Sequence, residues 1–308
     1  MANGPLSDNT SPTPAEQSTE ASGHMLQNAS YPKIGLALGG GGARGLAHIP
    51  VLEGFDDLGI RPHKIAGTSI GAIFGAGYAA GHNGEDLRAI ALDLFADSNK
   101  VLSRFWKLGP KRIRDLFRAG PVQFDPVGVL DAFVAEHLPP RFEDLDIPLR
   151  ILATDYFGCT EVDFETGPLL PAIAASISIP AVFRPVRHQG RFLIDGGVVN
   201  PLPFDGLREE CDFVVAVDVV GAPVPRSNPA DISMLDSIFG SSQILMQTIT
   251  AQKLKLDQPD ILIRPQHDNT RVLDFLKAGA ILEKSETLRG VTRAKLTELL
   301  NTTSDSIK

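Results

Sequence analysis

The sequence predicts an α/β fold in which a buried sheet is wrapped by crossover helices. Three observations carry that expectation. Short apolar runs recur along the chain, bounded by glycine or other turn residues. The first two are each followed by a sharp glycine-containing turn and then a helical pattern. The later runs keep the same apolar style rather than alternating with polar residues.

Taken in order, the first strand is Ile34-Gly35-Leu36-Ala37-Leu38, with order beginning near Lys33. It breaks at Gly39 to Gly42, and a helical pattern follows from Ala43 to about Leu58. Ile65 and Ala66 end a second strand, stopped by Gly67, and a small-residue helix runs from Ile70 to about Ala80. Further strands are expected at Arg150 to Thr154, Glu161 to Phe164, Arg191 to Ile194, Phe213 to Val219 and Ile261 to Ile263, with His188-Gln189-Gly190 as a hairpin turn. Helices are expected at Pro168 to Ser176, Asp231 to Leu256 and Leu273 to Leu300. The proline-rich stretch from Val220 to Asn228 reads as a loop. There is no internal repeat, and one domain over residues 33–300 accounts for the pattern.

The flanks differ from this body. The first 30 of the 308 residues hold no Lys or Arg and are rich in Ser, Thr, Pro, Asn and Gly. Such a segment buries too little apolar surface to offset its chain entropy, so residues 1–32 are expected to form a disordered tail and 301–308 a short C-terminal one. Hydrophobic content of 43% and charged content of 21% are ordinary for a globular protein. A net charge of −8 argues against broad nucleic-acid binding, which runs on clustered Lys and Arg. Cys159 and Cys211 have no metal-type spacing, and no disulfide framework is needed. With no bilayer-length apolar stretch and no secretory signal, a cytoplasmic setting is expected, with peripheral membrane contact or a specialised export route left open.

The chemistry concentrates in three loops. Gly67-Thr68-Ser69-Ile70-Gly71 is a GxSxG sequence between a strand and a helix. A nucleophilic serine needs a tight turn with small neighbours on either side, and the helix beginning at Ile70 aims its N-terminal dipole at the same point. The plain alternative is a glycine-rich turn with an incidental serine. Gly39-Gly40-Gly41-Gly42-Ala43-Arg44-Gly45 follows the first strand. Successive residues without Cβ let backbone N–H groups converge on one anion, as an oxyanion hole requires. The same loop satisfies GxGxxG, but a dinucleotide fold wants an acidic residue roughly 20 positions on. Ala66-Gly67-Thr68-Ser69 stands there instead, and no Walker A lysine follows.

A serine needs a base. None of the seven histidines has the setting of a triad base; His48 lies near the glycines, with a core histidine bonded to a backbone group as its plainer reading. Asp195, in Ile194-Asp195-Gly196-Gly197, ends a strand before two glycines that permit close approach to another loop. An Asp capping a turn is the alternative. Asp155 and Asp218 also end strands but lack the glycine pair.

The order GGGARG, GTSIG, DGG resembles that of the patatin-like phospholipases, in particular their small bacterial members. The likeness runs from about Lys33 to about Leu300 and includes Ala175-Ser176-Ile177-Ser178-Ile179-Pro180 and Val198-Val199-Asn200-Pro201-Leu202-Pro203. The resemblance implies a three-layer α/β/α sandwich with a mainly parallel central sheet, a Ser-Asp dyad without histidine, lipid acyl-ester hydrolysis, and neither metal nor organic cofactor. By motif, Ser69 is the nucleophile and Asp195 the base. Gly41, Gly42 and Ala43 are the oxyanion donors, and Arg44 steadies that loop or its charge. Gly40, Gly45, Gly67, Gly71, Gly196 and Gly197 complete the motifs; Gly197 stands where some relatives have Ala.

Residues 100–118 hold seven basic residues and one acid, interleaved with Phe105, Trp106, Leu108, Ile113 and Phe117. This composition suits either an anionic membrane surface or a solvated cap beside the site. The expected substrate is a lipid or fatty-acyl ester. An acyltransferase using the same acyl-enzyme, and a non-catalytic lipid-binding protein, are the rival readings; oligomeric state is open.

Overall fold

The structure, a computed structural model, describes residues 32–96, 123–223, 232–266 and 270–306. The expected N-terminal tail up to residue 31 and the basic stretch 100–118 lie outside the described residues. Among the described residues, eight strands form one mixed sheet: β1 (Ile34–Leu38), β2 (Lys64–Thr68), β3 (Leu149–Asp155), β4 (Thr160–Phe164), β5 (Val186–His188), β6 (Arg191–Asp195), β7 (Phe213–Val217) and β8 (Ile261–Ile263). The centre is parallel, β3-β2-β1-β7-β8, while β4, β5 and β6 join antiparallel at the β3 side.

Among the described residues, eight α-helices flank the sheet: α1 (His48–Asp56), α2 (Ile70–Ala79), α3 (Gly84–Ala96), α4 (Pro126–Phe133), α5 (Leu169–Ser176), α6 (Met234–Leu256), α7 (Ala278–Ser285) and α8 (Thr287–Ser306). Strand periodicity sorts the core into two layers. Leu36, Leu38, Ile65, Ile151, Val215 and Val217 face the main helical layer. Ala37, Ala66, Leu152, Val214 and Ala216 face the opposite side, where Leu202, Phe204 and Leu207 pack with Leu254 of α6. The architecture is the expected α/β sandwich. Its central strands are buried on both faces, which is why they lack alternation.

Helices α3 and α4 go beyond the expectation, and three boundaries differ from it for local reasons. The helix after the glycine loop starts as a 3-10 segment, Gly42–Ala47, and becomes α-helical at His48. Pro50 has no N–H to give an earlier turn, so it fits only the first turn of α1. The single helix expected over 273–300 is a 3-10 turn (Phe275–Lys277) followed by α7 and α8, which meet at Glu286. Ser285 Oγ donates back to the Ile281 carbonyl at 2.6 Å, a bond associated with helix bending. Finally, α8 continues through Ser306, past the expected boundary at residue 300, with Thr302 Oγ1 donating to the Leu299 carbonyl at 2.8 Å.

The register around β3 decides where the site lies. One edge of β3 is covered by β4 from Ile151 to Asp155. The other edge is shared. There β2 pairs as far as Leu152, opposite Thr68, and β6 takes over at Ala153, opposite Asp195. Two strands distant in sequence therefore end side by side on consecutive residues of a third.

Candidate active site

Ser69 is the residue after Thr68, at the turn from β2 into α2. Its backbone sits at φ 55° and ψ −121°, a conformation that side chains other than glycine rarely adopt. Several contacts hold it there. Its N–H donates to Ser176 Oγ at 2.9 Å, and its carbonyl accepts the Ala72 N–H at 2.9 Å. Thr68 Oγ1 donates to the Asn200 carbonyl at 2.9 Å. The flanking glycines are required by close approach: a Cβ at Gly67 would lie 2.7 Å from the Gly71 carbonyl oxygen, and one at Gly71 would collide with the Leu38 carbonyl.

Asp195 arrives from β6. Its N–H donates to the Ser178 carbonyl at 3.0 Å, and its carbonyl accepts from Thr154 Oγ1 at 2.8 Å. A Cβ at Gly196 would run into the Leu152 carbonyl, so only glycine lets the chain turn so close to β3. With both backbones fixed, Ser69 Oγ donates to Asp195 Oδ2 at 2.6 Å, and the Gly197 N–H donates to Oδ1 at 2.8 Å. Both residues are buried, 5% and 6% exposed. Burial with no cation at hand pushes the Asp195 carboxyl up to about 6, against the opposing pull of the Ser69 hydroxyl and Gly197 amide.

No imidazole intervenes. His48 Nε2 pairs with the Gly39 carbonyl at 2.9 Å, and full burial lowers it to about 4, so it is a neutral core histidine. The other two strand-end carboxylates are also occupied. Asp155 Oδ1 accepts from the Phe157 and Gly158 amides, and Asp218 pairs with Arg264 Nε at 2.9 Å.

The glycine loop lies against the serine. The Gly40 N–H donates to the Pro201 carbonyl at 2.9 Å, and a Cβ there would be 3.3 Å from Ser69 Cβ. The N–H groups of Gly41 and Gly42 have no acceptor among the described residues. Gly42 adopts φ +61°, and a Cβ would strike the Val272 carbonyl. Ala43 corrects the expectation: its N–H already donates to the Val272 carbonyl at 2.7 Å, which leaves two donors in this loop rather than three. Arg44 is buried and turned away as a brace. Nη2 donates to the Ala222 carbonyl at 2.9 Å, and Gln243, with its amide oxygen inward, accepts from Nη1 at 2.5 Å. Desolvation lowers the Arg44 pKa, opposed by the field of Asp274. Gly45 packs on Ile70, tying the loop to α2.

Two cavities meet at Ser69 and Gly42. The larger, about 540 Å³, runs beside α2 and is lined mainly by apolar side chains of α2, α3 and α4, among them Ile73, Phe74, Leu87, Leu94 and Phe133. The smaller, about 110 Å³, holds Gly41, Arg44, Asp195 and Met246. Among the described residues, no three His, Cys, Asp or Glu side chains converge as a metal site would need, and no helix is long and apolar enough to cross a membrane.

Sequence reasoning missed the supports. Ser176 and Asn200 both fall inside motif segments, yet an isolated polar residue there carries no signal of the backbone group it will hold. The large cavity was also missed, because α3 and α4 were not expected.

Residues 36–208 match the patatin-like phospholipase family. An NTE family protein of Mycobacterium tuberculosis is 35% identical over 236 residues, covering 74% of this chain and 62% of its own length. Patatin-like phospholipase domain-containing protein 7 of Rattus norvegicus is 31% identical over 189 residues, 60% of this chain and 13% of that one. The chain thus spans less than two thirds of these relatives' lengths. Among solved structures, VipD from Legionella pneumophila is similar at 14% identity and a TM-score of 0.45, over 86% of this chain and 67% of that one. With the family match covering more than half of the chain, and its motifs meeting in one buried turn, this protein belongs to the patatin-like phospholipase family.

Proposed function

We propose that this chain is a serine hydrolase of fatty-acyl esters, with Ser69 as nucleophile and Asp195 as its base. The observation that carries the reading is the 2.6 Å Ser69–Asp195 hydrogen bond, with Ser69 also lining a 540 Å³ apolar cavity. A carboxylate is an ordinary base at best; one raised to about 6 is better matched to proton transfer near neutral pH and is still ionised there. As Ser69 Oγ attacks the ester carbon, its proton passes to Asp195 Oδ2. The developing oxyanion is stabilised by the N–H groups of Gly41 and Gly42, with the acyl chain in the large cavity. Asp195 returns the proton to the departing alkoxide. Water then attacks the acyl-enzyme, Asp195 taking its proton and handing it to Ser69.

Kinship supports the lipid class: a Scheffersomyces stipitis protein described as a lysophospholipase is 28% identical over 284 residues, 82% of this chain and 17% of that one. The test is fatty-acid release from a panel of phospholipids, lysophospholipids and neutral esters. Wild type releases fatty acid from at least one class, Ser69→Ala releases none above background, and Asp195→Asn releases it about 10³-fold or more slowly. Release by the folded Ser69→Ala protein, or none from any class by wild type, refutes the reading.

A further inference from the structure

The proposed chemistry uses neither the aromatic residues nor the arginines that project beyond the site, and these share one tip. The β3–β4 turn carries Tyr156 and Phe157, which are 56% and 76% exposed. The β5–β6 hairpin lies against it: the Tyr156 N–H donates to the Phe192 carbonyl at 2.8 Å. Phe157 meets Tyr156 and Phe192 edge-on, with ring centroids 5.0 and 5.9 Å apart. The Arg187 guanidinium sits 4.6 Å from the Phe192 ring centre. Large aromatic side chains are costly to leave in water, and here the backbone holds them in place.

The charge at this tip is opposite to that of the whole chain. Residues 186–191 contain two arginines, one histidine and no acid, in a protein of net charge −8. Arg191 has one acidic neighbour, Asp155, at 3.7 Å, whose Oδ1 is already taken by two backbone amides. Arg187 is exposed and has no acidic partner among the described residues. The direction also matters. β6 runs from Arg191 inward to Asp195, so the tip extends about 13 Å past the carboxylate, four residues at roughly 3.3 Å each. It does so at the end of the sheet where β2 delivers Ser69.

We infer that this paired-hairpin tip is a docking surface for anionic lipid bilayers, with Phe157 and Tyr156 entering the interface and Arg187 and Arg191 meeting the headgroups. Aromatic residues favour the boundary between headgroup and acyl chain, and each nearby arginine adds electrostatic attraction that salt screens. Docking there would set the catalytic end of the sheet close to the lipid surface; in that respect the inference rests on the lipid-hydrolase reading.

The test is flotation of the full chain with vesicles of phosphatidylcholine alone and of equimolar phosphatidylcholine and phosphatidylglycerol, with hydrolysis of a water-soluble short-chain ester measured alongside. Capture is expected on the anionic vesicles and should fall with added salt. Phe157→Ser should weaken it roughly tenfold, and Arg187→Gln with Arg191→Gln roughly twentyfold. Soluble-ester turnover should be unchanged in all of them, which also reports intact folding. Wild-type protein that ignores anionic vesicles, or binds both vesicle types alike, overturns the docking surface. So does a double arginine variant that binds as wild type does. Normal capture without any soluble-ester turnover would leave docking standing and remove the catalytic reading instead.

Discussion

Two buried carboxylates, Asp195 and Glu53, show how the same group serves opposite ends. Glu53 is 1% exposed on α1, and both of its oxygens are gripped by Arg88 of α3 at 2.6 and 2.7 Å. Arg289 of α8 stands 3.8 Å away and is itself paired with Asp57. That arrangement fixes three helices to one another and leaves the acid nothing to react with. Asp195 is just as deeply buried but meets a hydroxyl and an amide, and no cation. Its charge is left undercompensated, and the carboxyl rises to about 6. Burial with a guanidinium makes a joint; burial without one raises the carboxyl toward the range a base needs.

Substitutions should separate the two roles. Asp195→Asn should cost about 10³- to 10⁴-fold in hydrolysis, as loss of a positioned general base does, measured as kcat/KM on any substrate wild type accepts. Its effect on stability should have the opposite sign. The folded carboxyl titrates at about 6 and the unfolded one at 3.8, so the folded state favours the proton. The stability this confers is complete below pH 3.8 and lost as pH rises through 6. Above pH 6 the neutral Asn should therefore gain up to about 3 kcal/mol, read from urea denaturation at pH 5 and pH 8.

Gly42→Ala comes next, at about 10²- to 10³-fold in kcat. A Cβ meets the Val272 carbonyl and φ +61° disfavours alanine, so the donor amide should move. Glu53→Gln should do the reverse of Asp195→Asn: stability falls by about 2 kcal/mol, discounted because Arg88 is partly exposed, while turnover per folded molecule holds. Wild-type kcat/KM should drop about tenfold per pH unit below 6, as only the ionised carboxylate accepts the serine proton. The smallest effect is expected for Ser176→Ala, which frees the Ser69 amide yet leaves the dyad. A loss of about tenfold or less would show in kcat with KM unchanged.

Much of this was legible in the sequence because it rests on glycine. The close approaches at Gly67, Gly71 and Gly196 leave room for no side chain, so the motif glycines mark both strand ends in the sequence itself. The placement of β6 was not legible. Nothing in Arg191 to Asp195 says that it continues the edge vacated by β2, since that depends on pairing with β3. Likewise, Ala43 looks like a third donor in the motif and is disqualified by Val272, more than 200 residues later. Helices α3 and α4 did announce themselves. Asn83 and Asp86 cap each other reciprocally, and Asp125 precedes Pro126 at a helix start. Those signals sit outside the glycine motifs.

The most direct measurement is covalent capture by a fluorophosphonate probe, mapped to residue by mass spectrometry and timed across pH 4.5 to 8. A single adduct on Ser69 is expected, forming with a half-maximal rate near pH 6 and at least a hundredfold more slowly in Asp195→Asn. An adduct on another residue, or labelling of Ser69 at the wild-type rate without the carboxylate, would contradict the dyad.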